Sequence, residues 1–180
     1  MLQIVIPGQE LWDEQKQEFI NTKEQVLQLE HSLISLSKWE AKWCKVCRSR
    51  QEKTQEEIID YIKCMTITPN VDPEVYNHLT RENIKEIEDY IAAPMTATYF
   101  SSDNAGKSSR EQVTSELIYY WMIALNIPFE CQKWHLNRLL TLIKVCNIKN
   151  QPPKKMSKRE IMSRNAALNA ARRQQLNTKG

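Results

Sequence analysis

The sequence predicts an α+β domain dominated by helices, with a small N-terminal β-meander and a basic helical tail at the C-terminus. Three observations carry that expectation. The first 31 residues hold short β-branched and apolar runs in which hydrophobic and polar side chains alternate, as in strands with one wet face. From Ser32 the apolar period lengthens to that of a helix. After Gln151 a Pro-Pro pair precedes a stretch rich in Ala, Arg, Gln and Leu but poor in large apolar residues. The chain therefore divides into a globular part over 1–150 (β-meander 1–31, helices 32–150) and a Pro-containing linker with a basic helix over 151–180.

The elements follow in order. LQIVI is a β-branched run closed by Pro7-Gly8, a turn signal. ELW and EFI flank the polar DEQKQ and suit a hairpin. QVLQLEH sets Val26, Gln28 and Glu30 opposite Leu27, Leu29 and His31, which favours a fourth strand over the competing helix across 23–43. Ser32 then caps a helix whose face runs Leu33, Leu36, Trp39 or Glu40, and Trp43. Thr54-x-x-Glu57 is a capping box before IIDYIKCM. Asn70, Asp72 and Pro73 mark another helix start. Thr80 caps the next helix, where Ile84, Ile87 and Ile91 repeat, and Pro94 ends it. FSSDNAGKSSRE is a loop. REQVTSELIYYWMIALN is expected to bury Val113, Leu117, Tyr120, Trp121 and Leu125. PFECQKWHLNRLLTLIKVCN is expected to run as one helix with the stripe Phe129, Gln132, Leu136, Leu139 or Leu140, Ile143 and Cys146. With about three residues between them, the two should pair as a helical hairpin. Ser157-x-x-Glu160 is a second capping box and opens the tail helix over 158–176. Its apolar residues are too few to hold it firmly against a core.

Composition narrows the function. Hydrophobic residues make up 41%, enough for a core, so global disorder is excluded. The net charge of +3 is uneven: residues 151–180 hold eight Lys/Arg against Glu160, leaving 17 − 21 = −4 for residues 1–150. An acidic body offers no general face to a nucleic-acid backbone, so nucleic acid is the second choice for the basic tail. No apolar run is long enough to span a bilayer, and MLQIVIPGQE lacks the features of a signal peptide. A cytosolic protein with reduced thiols is expected, the five cysteines being odd in number.

Motifs with chemistry are few. Cys44-Lys-Val-Cys47 and Cys131-x3-His135 have the residue types of a Cys3His zinc site, provided both pairs converge. Neither pair lies in a Gly-containing turn, and Cys64 and Cys146 fall on or beside apolar stripes, so core or surface thiols are the preferred reading. Asn104-Ala105-Gly106-Lys107-Ser108 resembles the end of a phosphate-binding loop, but Ser101 stands where its first glycine belongs. His31, His78 and His135 come with no nucleophile elbow, and three glycines leave little material for ligand-hugging loops. No cofactor, no metal and no enzymatic activity is expected. Trp39, Trp43, Trp121 and Trp134 are explained first by core packing. Trp134 with Arg138 could instead form an exposed aromatic and cationic patch. The candidate partner contacts are Trp134, Arg138, Lys154, Lys155, Arg159, Arg172 and Arg173.

Residues 115–150, SELIYYWMIALNIPFECQKWHLNRLLTLIKVCNIKN, with the following PPKKMSKREIMSRNAALNAARRQQLNTKG, carry a resemblance. LEHSLISLSKWEAKW at 29–43 and DYIKCMT at 60–66 extend it over most of the chain. The sequence resembles small proteins encoded in the tail-gene cluster of long-tailed phages and prophages of Gram-positive bacteria. The resemblance implies a non-enzymatic tail-assembly factor in the host cytoplasm, foremost a chaperone of the helical tape-measure protein. A structural tail or connector component of the virion is the alternative; the residues themselves offer a nucleic-acid binder using the basic C-terminal helix as a further alternative, and self-association of that helix with the acidic body of a neighbouring copy.

Overall fold

Antiparallel pairing organises the N-terminus of this computed structural model, which describes residues 1–8, 10–13, 18–21, 24–49, 51–100, 112–151 and 157–178. The strands are β1 (Leu2–Ile6), β2 (Glu10–Asp13), β3 (Glu18–Asn21) and β4 (Gln25–Leu29). They lie where the alternation placed them, but their order is not that of a meander. β1 pairs with β4, and β2 with β3. Leu2 opposes Leu29 and Asp13 opposes Glu18, so both ladders share one register and the inner hairpin is nested in the outer pair. Pro7-Gly8 was read as a reversal between β1 and β2. Pro7 has no backbone N–H to donate, and the ladder ends one residue before it, at the Ile6–Gln25 pair. Pairing β1 with β4 aligns the apolar sets: Ile4 faces Leu27 and Leu2 faces Leu29, while Val5 and Val26 stay on the wet face.

The helices are α1 (Leu33–Trp43), α2 (Gln55–Met65), α3 (Arg81–Ala92), α4 (Ser115–Ala124), α5 (Leu136–Asn150) and α6 (Lys158–Leu176), and the fold is α+β and mostly helical. Ser32, Thr54, Thr80 and Ser157 each close a capping box. The start at Pro73 opens a 3-10 turn, Pro73–His78, with the Asp72 carboxylate accepting from the Glu74 N–H at 3.0 Å. Two compact units result, residues 1–147 and 148–180.

Within the first unit, Leu27, Leu29, Leu33, Leu36, Ile118, Leu136 and Leu139 are fully buried with Trp39. The α1–α2 seam is polar at one edge and aromatic inside. The Trp39 indole N–H donates to the Glu57 carbonyl at 2.9 Å, and Trp43 donates to the Asp60 carboxylate at 2.9 Å, where Lys42 also binds. Glu40 is buried among backbone donors, accepting from the Cys47 N–H at 3.0 Å and the Ser115 N–H at 2.7 Å. One carboxylate thus ties the α1–α2 connection to the first turn of α4, where the helix dipole favours negative charge. Asn83 of α3 reaches the Val5 carbonyl of β1 at 3.3 Å.

Two helical expectations need correction. α4 buries Ser115, Ile118 and Met122, and Tyr120 is 62% exposed. Residues 117–124 are nearly all apolar, so periodicity could not select a face; packing on α1 selects it. The same preference for α1 replaces the expected α4–α5 hairpin as the main contact of α4. The second long helix is also not continuous from Pro128. A 3-10 turn, Phe129–Lys133, comes first and leaves Phe129 53% exposed; α5 starts only at Leu136. The break follows from tertiary hydrogen bonds: Ser32 bridges to His135, and the Leu136 N–H donates to the His31 carbonyl at 2.7 Å. From Leu136 the stripe is as read, with Leu139 and Ile143 buried.

Candidate functional site

α2, α3 and the connection after α1 enclose a cleft of about 490 Å³ in the first unit. Its walls come from two helix faces. α2 gives Ile58 and Ile62, and α3 gives Ile84, Ile87 and Ile91. The Ile84–Ile87–Ile91 spacing places all three on one face of α3. Only Ile87 is buried in the core, whereas Ile84 and Ile91 remain partly exposed in the cleft. The helical repeat of these isoleucines is legible in the sequence, but periodicity shows only that a face is apolar and not what covers it.

His31 and Tyr61 are a buried polar pair in the lining. The Tyr61 hydroxyl lies 2.7 Å from His31 Nδ1. With the phenol as donor, the neutral imidazole carries its proton on Nε2. Burial, then the neighbouring His135 and Arg48, lowers the His31 pKa to about 3. Burial pushes Tyr61 up, so both groups are neutral near pH 7. Cys47 also borders the cleft, and burial pushes its thiol up to about 11, away from the thiolate a nucleophile needs. The mouth is cationic: Arg48 is exposed and Lys53 half-buried, and no described carboxylate forms an ion pair with either.

His135 is spent on structure. Nε2 donates to the Tyr90 carbonyl at 3.0 Å, and Nδ1 accepts from the Asn137 N–H at 3.3 Å, so the ring caps α5. Burial lowers its pKa, outweighing the Tyr90 contact. The Tyr90 hydroxyl donates to Glu30 at 2.7 Å, which also meets the N-terminal ammonium at 3.0 Å. Of the four candidate zinc ligands, Cys44 is exposed at the left-handed end of α1, while Cys47, Cys131 and His135 are buried. Among the described residues no three His, Cys, Asp or Glu side chains are grouped to hold a metal ion. All five cysteines are free thiols.

Trp134 and Arg138 do meet. The Arg138 guanidinium lies 4.2 Å from the Trp134 ring centroid, with Arg138 exposed and Trp134 half-buried. In the second unit, Arg159, Arg172 and Arg173 are exposed on α6, which buries none of its residues. At 100° per residue, these three and Lys158 fall within an arc of about 140°, in two groups about 20 Å apart along the axis. Lys154 and Lys155, the Pro152-Pro153 break and the 104–108 loop lie outside the described residues. No described helix is long and apolar enough to cross a membrane. No protein-family model matches the chain, and no curated protein or solved structure is significantly similar to it.

Proposed function

We propose that this protein is a phage tail assembly factor that acts by protein–protein binding, most concretely as a chaperone of the tape-measure protein. The observation that carries the reading is α6: a 19-residue helix, capped at both ends, with no buried residue and a basic face. Most helical stability in proteins comes from packing one face, and α6 packs none, so a surface that completes it is expected. The two basic groups favour an acidic helical partner, and a long acidic rod supplies that repeatedly. The Trp134–Arg138 pair adds a rigid aromatic contact of the type enriched at interfaces.

Co-expression with the tape-measure protein tests the reading. The expected result is co-purification and a larger soluble fraction of the tape-measure protein, both reduced by Arg159→Glu/Arg172→Glu/Arg173→Glu. A tape-measure protein that stays insoluble and unbound refutes the chaperone role. Recovery of the chain in purified virions transfers it to the tail structure.

A further inference from the structure

We propose that the cleft between α2 and α3 binds an amphipathic helical segment of a partner protein whose apolar face is flanked by acidic residues. The inference goes beyond the assembly role, since it stands on the cleft and not on α6. Three observations support it.

First, the cleft, of about 490 Å³, runs between two ridges of isoleucine on neighbouring helices, an apolar groove of the kind that receives the apolar face of a helix. Ile84, Ile87 and Ile91 repeat over two turns of α3; Ile87 is buried in the core, and Ile84 and Ile91 keep partly exposed apolar surface toward the cleft. A helix laid in the groove would cover them.

Second, the lining holds an unused donor. His31 is only 5% exposed, its Nδ1 is engaged by Tyr61, and its Nε2 has no partner among the described residues. No buried side-chain nitrogen or oxygen among them is both sealed and unpaired, so Nε2 is not sealed off. Its N–H offers a hydrogen bond to an acceptor entering the cleft.

Third, charge selects the occupant. Arg48 and Lys53 stand at the mouth without described ion-pair partners, and Glu88 is the one acid among the lining residues. A basic segment such as α6 of a second copy meets two cations there and is disfavoured; an acid-flanked segment gains both.

The probe is a fluorescein-labelled peptide of about 20 residues, long enough for several turns, with Leu at i, i+3, i+4 and i+7 and Glu on both flanks. Anisotropy is followed with the full chain, beside a peptide in which every Glu is Lys. The acidic peptide is expected to bind saturably and the basic one about tenfold or more weakly. Ile84→Glu, and separately Arg48→Glu/Lys53→Glu, should each weaken the acidic peptide about tenfold or more while the thermal midpoint is kept. No saturable binding, equal binding of the two peptides, or indifference to these variants overturns the proposal. Sedimentation showing a wild-type dimer that Ile84→Glu makes monomeric gives the cleft to a second copy, and also overturns it. Peptide binding that persists when the tape-measure protein is not captured removes the assembly role and leaves the cleft.

Discussion

Acid should destabilise this fold through His31 before its carboxylates titrate. The ring is 5% exposed and its pKa falls to about 3 in the fold, against the ordinary histidine value of 6.5. A lowered folded pKa means that the unfolded chain binds the proton first. The neutral ring therefore contributes stability above 6.5, and that stability drains as pH falls from 6.5 toward 3. Between pH 7 and pH 5 the unfolded histidine goes from about one-quarter to nearly fully protonated while the folded one stays neutral. Integrating that difference gives a loss of about 2 kcal/mol. His135, lowered in the same direction, adds to the wild-type slope. The control is His31→Phe/Tyr61→Phe, which removes the titrating ring together with the hydroxyl that would otherwise lose its partner. Urea midpoints followed by circular dichroism at pH 7, 6 and 5 should fall by about 1 M in the wild type, for a slope near 2 kcal/mol per molar. The variant should lose clearly less over the same range. Equal pH slopes for the two proteins would show that His31 titrates normally and that its burial is misassigned.

Three further outcomes follow from the packing. Glu40→Ala leaves the Cys47 and Ser115 N–H groups without their acceptor and should cost about 3 kcal/mol, a drop in Tm of roughly 10 °C by calorimetry. Leu27→Ala, at a fully buried position facing Ile4, should cost about 2 to 5 kcal/mol, whereas Val26→Ala on the wet face should stay within about 0.5 kcal/mol. Similar costs at the two positions would contradict the strand register. Ser157→Ala removes the acceptor for the Glu160 N–H and should weaken α6 by about 1 kcal/mol, seen as roughly fivefold faster amide exchange in α6 with the Tm of the first unit unchanged.

Local chemistry made much of the fold legible. Ser32, Thr54, Thr80 and Ser157 mark helix starts because a cap is settled within four residues, and β4 is legible because Leu27 and Leu29 alternate with Val26 and Gln28. A meander is not formed, because Pro7-Gly8 signals only a local break, while the choice of β4 as the partner of β1 depends on which apolar faces align over more than 20 residues. α4 shows the same limit, since an almost wholly apolar run contains no phase. The interruption before α5 is invisible in PFECQKWHLNRLL because its cause, the contacts of His135 with Ser32 and Tyr90, comes from elsewhere in the chain.

Local sequence suffices for the capping residues, the mostly helical α+β class and the separation of an acidic body from a basic tail. Those properties depend on neighbours a few residues apart or on summed charge. Contacts between distant segments set the rest: β1 joins β4, α4 rests on α1, and His31 and Tyr61 form a buried neutral pair lining a cleft with a cationic mouth. Each of those is a question of which surfaces meet. That is settled by shape and by satisfying buried polar groups across long stretches of chain, and no short window of residues encodes it.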